Sequence, residues 1–139
     1  MTRVADWDVR LAAFLRARRA QGFAWGQRDC ALFAADWVKE ATGEDPAAAY
    51  RGKYRTAAGA LKALRRQGHG DLAEAVTAAL GPPLETTALM GRGDIGQVQS
   101  IDSAFEGALG VCAGADIAVL SEDGVVLLPR KAALKAWRV

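Results

Sequence analysis

The sequence predicts an α+β fold, with a helical N-terminal part packed on a small antiparallel sheet formed by the C-terminal part. Three observations carry this expectation. Apolar residues recur at helical spacing up to about residue 80. From Val98 onward they gather instead in short runs separated by Gly, Asp and Ser. Alanine, at 30 residues, favours helix in the first part. Helices followed by strands, rather than alternating with them, argue for α+β packing around one core.

Asp6 or Asp8 is placed to cap a first helix reaching about Arg19, with Trp7, Leu11, Phe14 and Leu15 on one face and Gly22 closing it. A second helix starts near Asp29 and runs to Thr42, with Gly43 as its stop; Leu32, Phe33, Trp37 and Val38 form its apolar face. Thr56 opens a third helix, Ala57 to Gln67, ended by Gly68. Asp71 with Glu74 is a capping-box pattern for a fourth, Leu72 to Leu80, which Gly81-Pro82-Pro83 ends. The strand signals are Val98, Ile101, Leu109 to Val111, Ile117 to Leu120 and Val125 to Leu128, with Glu122-Asp123-Gly124 as a hairpin turn. A short terminal helix is expected to include Lys131 to Trp137.

The 139 residues make one domain, 1–139, of ordinary soluble composition: 51% hydrophobic, 24% charged, net charge +2. No run approaches the ~18 apolar residues of a membrane span. Met1 to Asp8 lacks the apolar stretch of a secretory signal, so synthesis in a reducing cytoplasm is expected. Two cysteines and one histidine make neither a disulfide framework nor a zinc site, and no cofactor is expected. The charge is uneven. Residues 1–70 hold 13 basic and 7 acidic side chains, whereas 71–139 hold 5 and 9. Arg51, Lys53, Arg55, Lys62, Arg65 and Arg66 form the densest basic stretch, read first as a solvated helix face. Tyr50 and Tyr54 are too few for a base-stacking platform, which disfavours nucleic acid as a partner.

The most informative words are Phe23-Ala24-Trp25-Gly26-Gln27-Arg28-Asp29-Cys30-Ala31-Leu32-Phe33. They place Cys30 in the first turn of a helix. There unpaired N–H groups and the helix dipole stabilise a thiolate and lower its pKa, and the same N–H groups suit a developing oxyanion. A nucleophile also needs a base within reach and a group that orients the base. A buried cysteine is equally a common core residue.

Trp25-Gly26-x-x-Asp29-Cys30-x-x-Phe33 resembles the nucleophile motif of NlpC-type cysteine peptidases, the bacterial branch of the papain-like fold, which cleave peptidoglycan peptides. Arg92-Gly93-Asp94 resembles the Gly-Asp step into that family's first core strand. The closer resemblance is to small proteins encoded beside tail genes in phages, prophages and gene-transfer particles. It rests on the Trp25 to Asp36 words, on Tyr50-Arg51-Gly52-Lys53-Tyr54-Arg55 and on the ending Leu134 to Val139.

Carried over residue by residue, the resemblance makes Cys30 the nucleophile position. Trp25, Asp29 and Asp94 become candidate binding residues. The base position, a His at the start of the following strand, falls on Ala108 in Ala108-Leu109-Gly110-Val111. Alanine accepts no proton. His69, in Gln67-Gly68-His69-Gly70, lies on a link between helices and reads as a loop residue. The orienting residue falls near Asp116 to Ala118, where Asp116 is the polar one. Phe23 lies near a position at which the peptidases carry a Tyr facing the nucleophile.

Bland readings stand beside these. Asp29 serves as a helix cap, Trp25 as a loop anchor and Cys112 as a small core residue, while pairing of Cys112 with Cys30 stays open on spacing alone. Asp94 and Asp102 lack partners for a metal, and Gly91, Gly93 and Gly96 are not followed by the residues of a phosphate loop.

Losing a general base costs on the order of 10² to 10⁴ in rate. The resemblance therefore implies a catalytically degenerate tail or virion-assembly protein, resident in the particle and partnered by other tail or virion proteins, with Trp137 and the basic stretch as contact features. The alternative is a peptidoglycan-cleaving cysteine peptidase that uses Cys30 with a base supplied elsewhere.

Overall fold

A computed structural model describes residues 1–99 and 107–139. Among these lie four helices: α1 (Trp7–Arg18), α2 (Cys30–Thr42), α3 (Ala57–Arg66) and α4 (Leu72–Leu80). Five strands follow: β1 (Ile95–Val98), β2 (Ala108–Cys112), β3 (Asp116–Ser121), β4 (Gly124–Pro129) and β5 (Lys135–Trp137). They form one antiparallel sheet in the order β4-β3-β2-β1-β5, so the fold is α+β. Ile101 and Asp102 lie outside the described residues.

Three of the four helix starts follow from side-chain caps. Asp29 accepts from Leu32 N–H, Thr56 from Gly59 N–H and Asp71 from Glu74 N–H. Asp6 occupies the cap position of α1 without making that bond. Gly43 ends α2 at φ 82°, a left-handed conformation open to glycine. Gly22 does not close α1, which stops at Arg18. The carbonyls of Arg16 and Arg18 take the N–H groups of Arg19 and Gln21 in a tightening final turn.

Sheet periodicity divides the core. Ile95, Leu109, Val111, Ala118, Leu120 and Trp137 join the helix residues Leu11, Phe14, Phe33, Trp37 and Leu64 in the largest cluster. Their strand neighbours Val98, Ala108, Cys112, Ile117, Val119 and Ala136 form a second cluster with Met90 and Ala133. β2, buried along its whole length, is the central strand and carries α2 across it. The hairpin turn at Glu122-Asp123 joins β3 to β4 with Ser121 opposite Gly124.

The C-terminal helix is not formed. Residues 130–132 make one 3-10 turn, and Lys135–Trp137 pair with β1 as an edge strand, Ile95 opposite Trp137. The physical reason is the open edge of β1. Its backbone groups gain ladder partners, and strand alternation sends Trp137 into one cluster and Ala136 into the other. The first strand also starts earlier than Val98, at Ile95, directly after Asp94.

Candidate functional site

The loop before α2 is a small closed turn. Ala24 and Arg28 exchange backbone hydrogen bonds of 2.9 and 2.7 Å, and Gly26 sits at its tip with φ 80°. Asp29 is buried beneath it. One carboxylate oxygen accepts from Leu32 N–H at 2.9 Å; the other accepts from Gly26 N–H at 3.0 Å and from the Tyr54 hydroxyl at 2.6 Å. Asp29 is therefore the cap of α2 and the anchor of its own loop.

Cys30 is the first residue of α2 and only 6% exposed. Burial pushes its thiol up to about 11, and the Asp29 carboxylate adds to the rise, while backbone N–H groups of Leu109, Ala31 and Cys30 itself oppose it. The expected lowering by the helix terminus is overturned. The Asp29 carboxylate already occupies the positive end of the helix, and water is excluded. Cys30 and Cys112 are both free thiols. Cys112 is fully buried in β2, so the core reading of that residue stands.

Ala108 opens β2 opposite Val98, is 9% exposed and shares the buried cluster of Cys30. Asp116 starts β3, half-buried and paired with Pro129. His69 lies in the turn after α3, its N–H donating to the Leu64 carbonyl. Of the sequence candidates, Asp29 adjoins Cys30 as its capping neighbour, and Ala108 and Cys112 share its buried cluster.

The other two binding candidates have internal partners. Trp25 is half-buried and meets Phe23 edge-on, ring centres 5.0 Å apart. Asp94 is 1% exposed. It takes N–H bonds from Gly91 at 2.8 Å and Val139 at 3.1 Å, pairs with Arg3 at 2.7 Å, and has Arg138 at 3.5 Å. It closes the turn before β1 and ties both termini to the sheet. Trp137, read as a contact feature, is instead fully buried and donates its indole N–H to Thr77 Oγ1 at 3.1 Å.

Three features had no signal in the sequence. The Tyr54–Asp29 bond spans 25 residues. An ion-pair chain runs Arg18–Asp36–Arg51–Asp45, with contacts of 2.5, 2.8 and 2.8 Å; it turns Arg51 inward and leaves Lys53, Arg55, Lys62, Arg65 and Arg66 exposed. An apolar cleft of about 660 Å³, counting its open mouth, lies among α2, α3, α4 and the 46–54 segment, walled by Ala31, Val38, Tyr50, Tyr54, Leu64 and Val76. No group of three or more metal-ligating His, Cys, Asp or Glu occurs among the described residues, and none of their helices is long and apolar enough to cross a membrane.

Residues 2–139 match a family model described as a Domain of unknown function (DUF6950). Among curated proteins, none matches the chain.

Proposed function

This chain belongs to the DUF6950 family, and on that premise we propose that it is a phage or gene-transfer-particle tail protein with a catalytically degenerate cysteine-peptidase-like fold. The reading starts from the resemblance of the Trp25 to Phe33 words to the NlpC-type motif. A helix that starts on Cys30 and crosses the second strand of an antiparallel sheet supports a papain-like arrangement.

One observation carries the loss of chemistry: Ala108, at the head of β2 and in the cluster of Cys30, has no group that accepts a proton. The thiol stays neutral at physiological pH, because burial dominates the N–H groups around it. A neutral buried thiol is a poor nucleophile, and the fold then serves assembly and docking on other tail or virion proteins. The test is to purify particles and assembly intermediates and to identify this chain in them by mass spectrometry. Its presence at fixed stoichiometry is expected; its absence from both overturns the assignment.

The second reading, a peptidoglycan peptidase with a base from elsewhere, is favoured by the N–H groups of Leu109 and Ala31 converging on the Cys30 sulfur. Muropeptide release that survives in Cys30→Ala disposes of Cys30 as its nucleophile.

A further inference from the structure

The sheet has two edges, and they are finished differently. β5 is three residues long, begins on the exposed Lys135 and is covered from outside, where Leu84 N–H donates to the Ala136 carbonyl at 2.8 Å. β4 is six residues long, Gly124-Val125-Val126-Leu127-Leu128-Pro129, and carries no charge. Val126 and Leu127 are 38% and 63% exposed. A bare apolar edge of this kind is a template for another strand, and proteins ordinarily block such edges with charges, covers or bulges.

The ladder shows which backbone groups are on offer. Ser121 and Gly124 close the hairpin, and past the other end of β4 the Arg130 N–H donates to the Ala115 carbonyl at 3.0 Å. Antiparallel bonding alternates between these two points, so Gly124, Val126 and Leu128 bond β3. The N–H and C=O groups of Val125 and Leu127 point outward, and none of them bonds another described residue. A strand laid alongside would take up these groups and cover Val126 and Leu127 together. The ends of the edge differ in charge. Exposed Glu122 and Asp123 precede it and exposed Lys131 follows it, and none of the three has an ion pair among the described residues.

We propose that β4 pairs antiparallel with β4 of a second copy of this chain about a twofold axis, joining two five-stranded sheets into one. With Val126 on the axis, Val125 of each copy exchanges both backbone bonds with Leu127 of the other, and Pro129, which has no N–H, is asked for none. The same pairing lays the acidic turn of each copy beside Lys131 of the other, whereas a parallel arrangement would set like charges together. An edge this short is below the standard interface size, so the dimer is weak and concentration-dependent. The inference rests on the sheet and not on the virion reading, and the failure of either leaves the other intact.

The test is sedimentation equilibrium of the full chain over a concentration series. A reversible monomer–dimer equilibrium is expected below about 1 mM. Leu127→Lys sets like charges against each other at an exposed position; it should stay monomeric throughout and unfold thermally like the dilute unmodified chain. Lys131→Glu and Asp123→Lys should each weaken self-association about tenfold through two symmetric charge contacts, and an equimolar mixture of the two should recover it. A monomer at every concentration overturns the proposal and leaves the edge to a strand of another protein. A dimer that Leu127→Lys does not disturb, or a mixture no tighter than its components, overturns it as well.

Discussion

Trp37 donates its indole N–H to the Gly93 carbonyl at 2.8 Å, bonding the middle of α2 to the turn that leads into β1. The same turn is held from the other side, where Gly93 N–H donates to the Cys112 carbonyl and Cys112 N–H to the Asp94 carbonyl, both at 2.8 Å. One buried donor therefore ties the helix that starts at Cys30 to the turn that joins the start of β1 to the end of β2.

Trp37 is fully buried, and Phe14 packs against its ring with centres 5.7 Å apart. Trp37→Phe keeps most of the apolar contact but strands the Gly93 carbonyl, so a loss of roughly 1–3 kcal/mol is expected. Trp37→Ala adds a cavity and should cost ~3–5 kcal/mol. Urea unfolding of both variants checks this; a Trp37→Phe chain as stable as the unmodified one would mean that the hydrogen bond contributes nothing.

The helical part was legible because its signals are local. Asp29, Thr56 and Asp71 each cap a helix within three residues of themselves, and Gly43 ends α2 at the position the pattern marks. The terminal strand was not legible. Lys135-Ala136-Trp137 is too short to show alternation, and its conformation is decided by the free edge of β1, some forty residues earlier. The candidate site divides in the same way. The place of Cys30 at a helix start is local, whereas its raised pKa depends on burial by distant elements and on a carboxylate committed to capping. Tyr54 and the Arg51 ion pairs are long-range partners for which spacing carries no code.

Asp94 should act as a structural carboxylate. Asp94→Ala leaves Arg3 without its closest partner and frees the N–H groups of Gly91 and Val139, so a loss of roughly 3 kcal/mol is expected. Arg138, 61% exposed and 3.5 Å away, contributes little, and Arg138→Ala should cost under ~1 kcal/mol. Thermal unfolding of the two variants side by side decides; equal effects would contradict a buried anchor at Asp94.

Gly26 admits no side chain. Its φ of 80° disfavours one, and a Cβ there would overlap the Tyr54 carbonyl. Gly26→Ala is expected to lose at least about 2 kcal/mol from backbone strain and steric conflict combined. Chemical denaturation provides the measurement, and wild-type stability would place the 50–54 backbone further from the loop.

Acid should loosen the ion-pair chain. The Arg51 guanidinium, bonded to Asp45, holds that carboxyl below its ordinary value. A depressed carboxylate pKa contributes stability that is present above the unfolded value near 4 and is lost as pH falls through the folded one. Stability should therefore decline below about pH 4, and Asp45→Asn should remove part of that slope while lowering stability at neutral pH. A parallel acid limb in the variant would assign the loss to other groups.

Cys30 should titrate late. A thiol held near 11 in the folded state and near 9 when unfolded adds nothing to pH dependence below 9; as pH rises from 9 to 11 the unfolded chain ionises first and stability falls. Cys30→Ala should flatten this first part of the alkaline limb. Tyr54, also pushed up by burial and by the Asp29 charge, destabilises the fold in the same sense from about pH 10, so Tyr54→Phe should flatten a later part. In direct alkylation, the Cys30 rate should climb toward pH 11 with no inflection below 8.5. Ala108→His brings an imidazole into the Cys30 cluster at an overpacking cost of roughly 1–3 kcal/mol. That variant should gain an inflection in the neutral range, where histidine changes charge. A folded Ala108→His chain with the wild-type profile would show that the head of β2 does not face the thiol, and the base position would then have to be sought on another element.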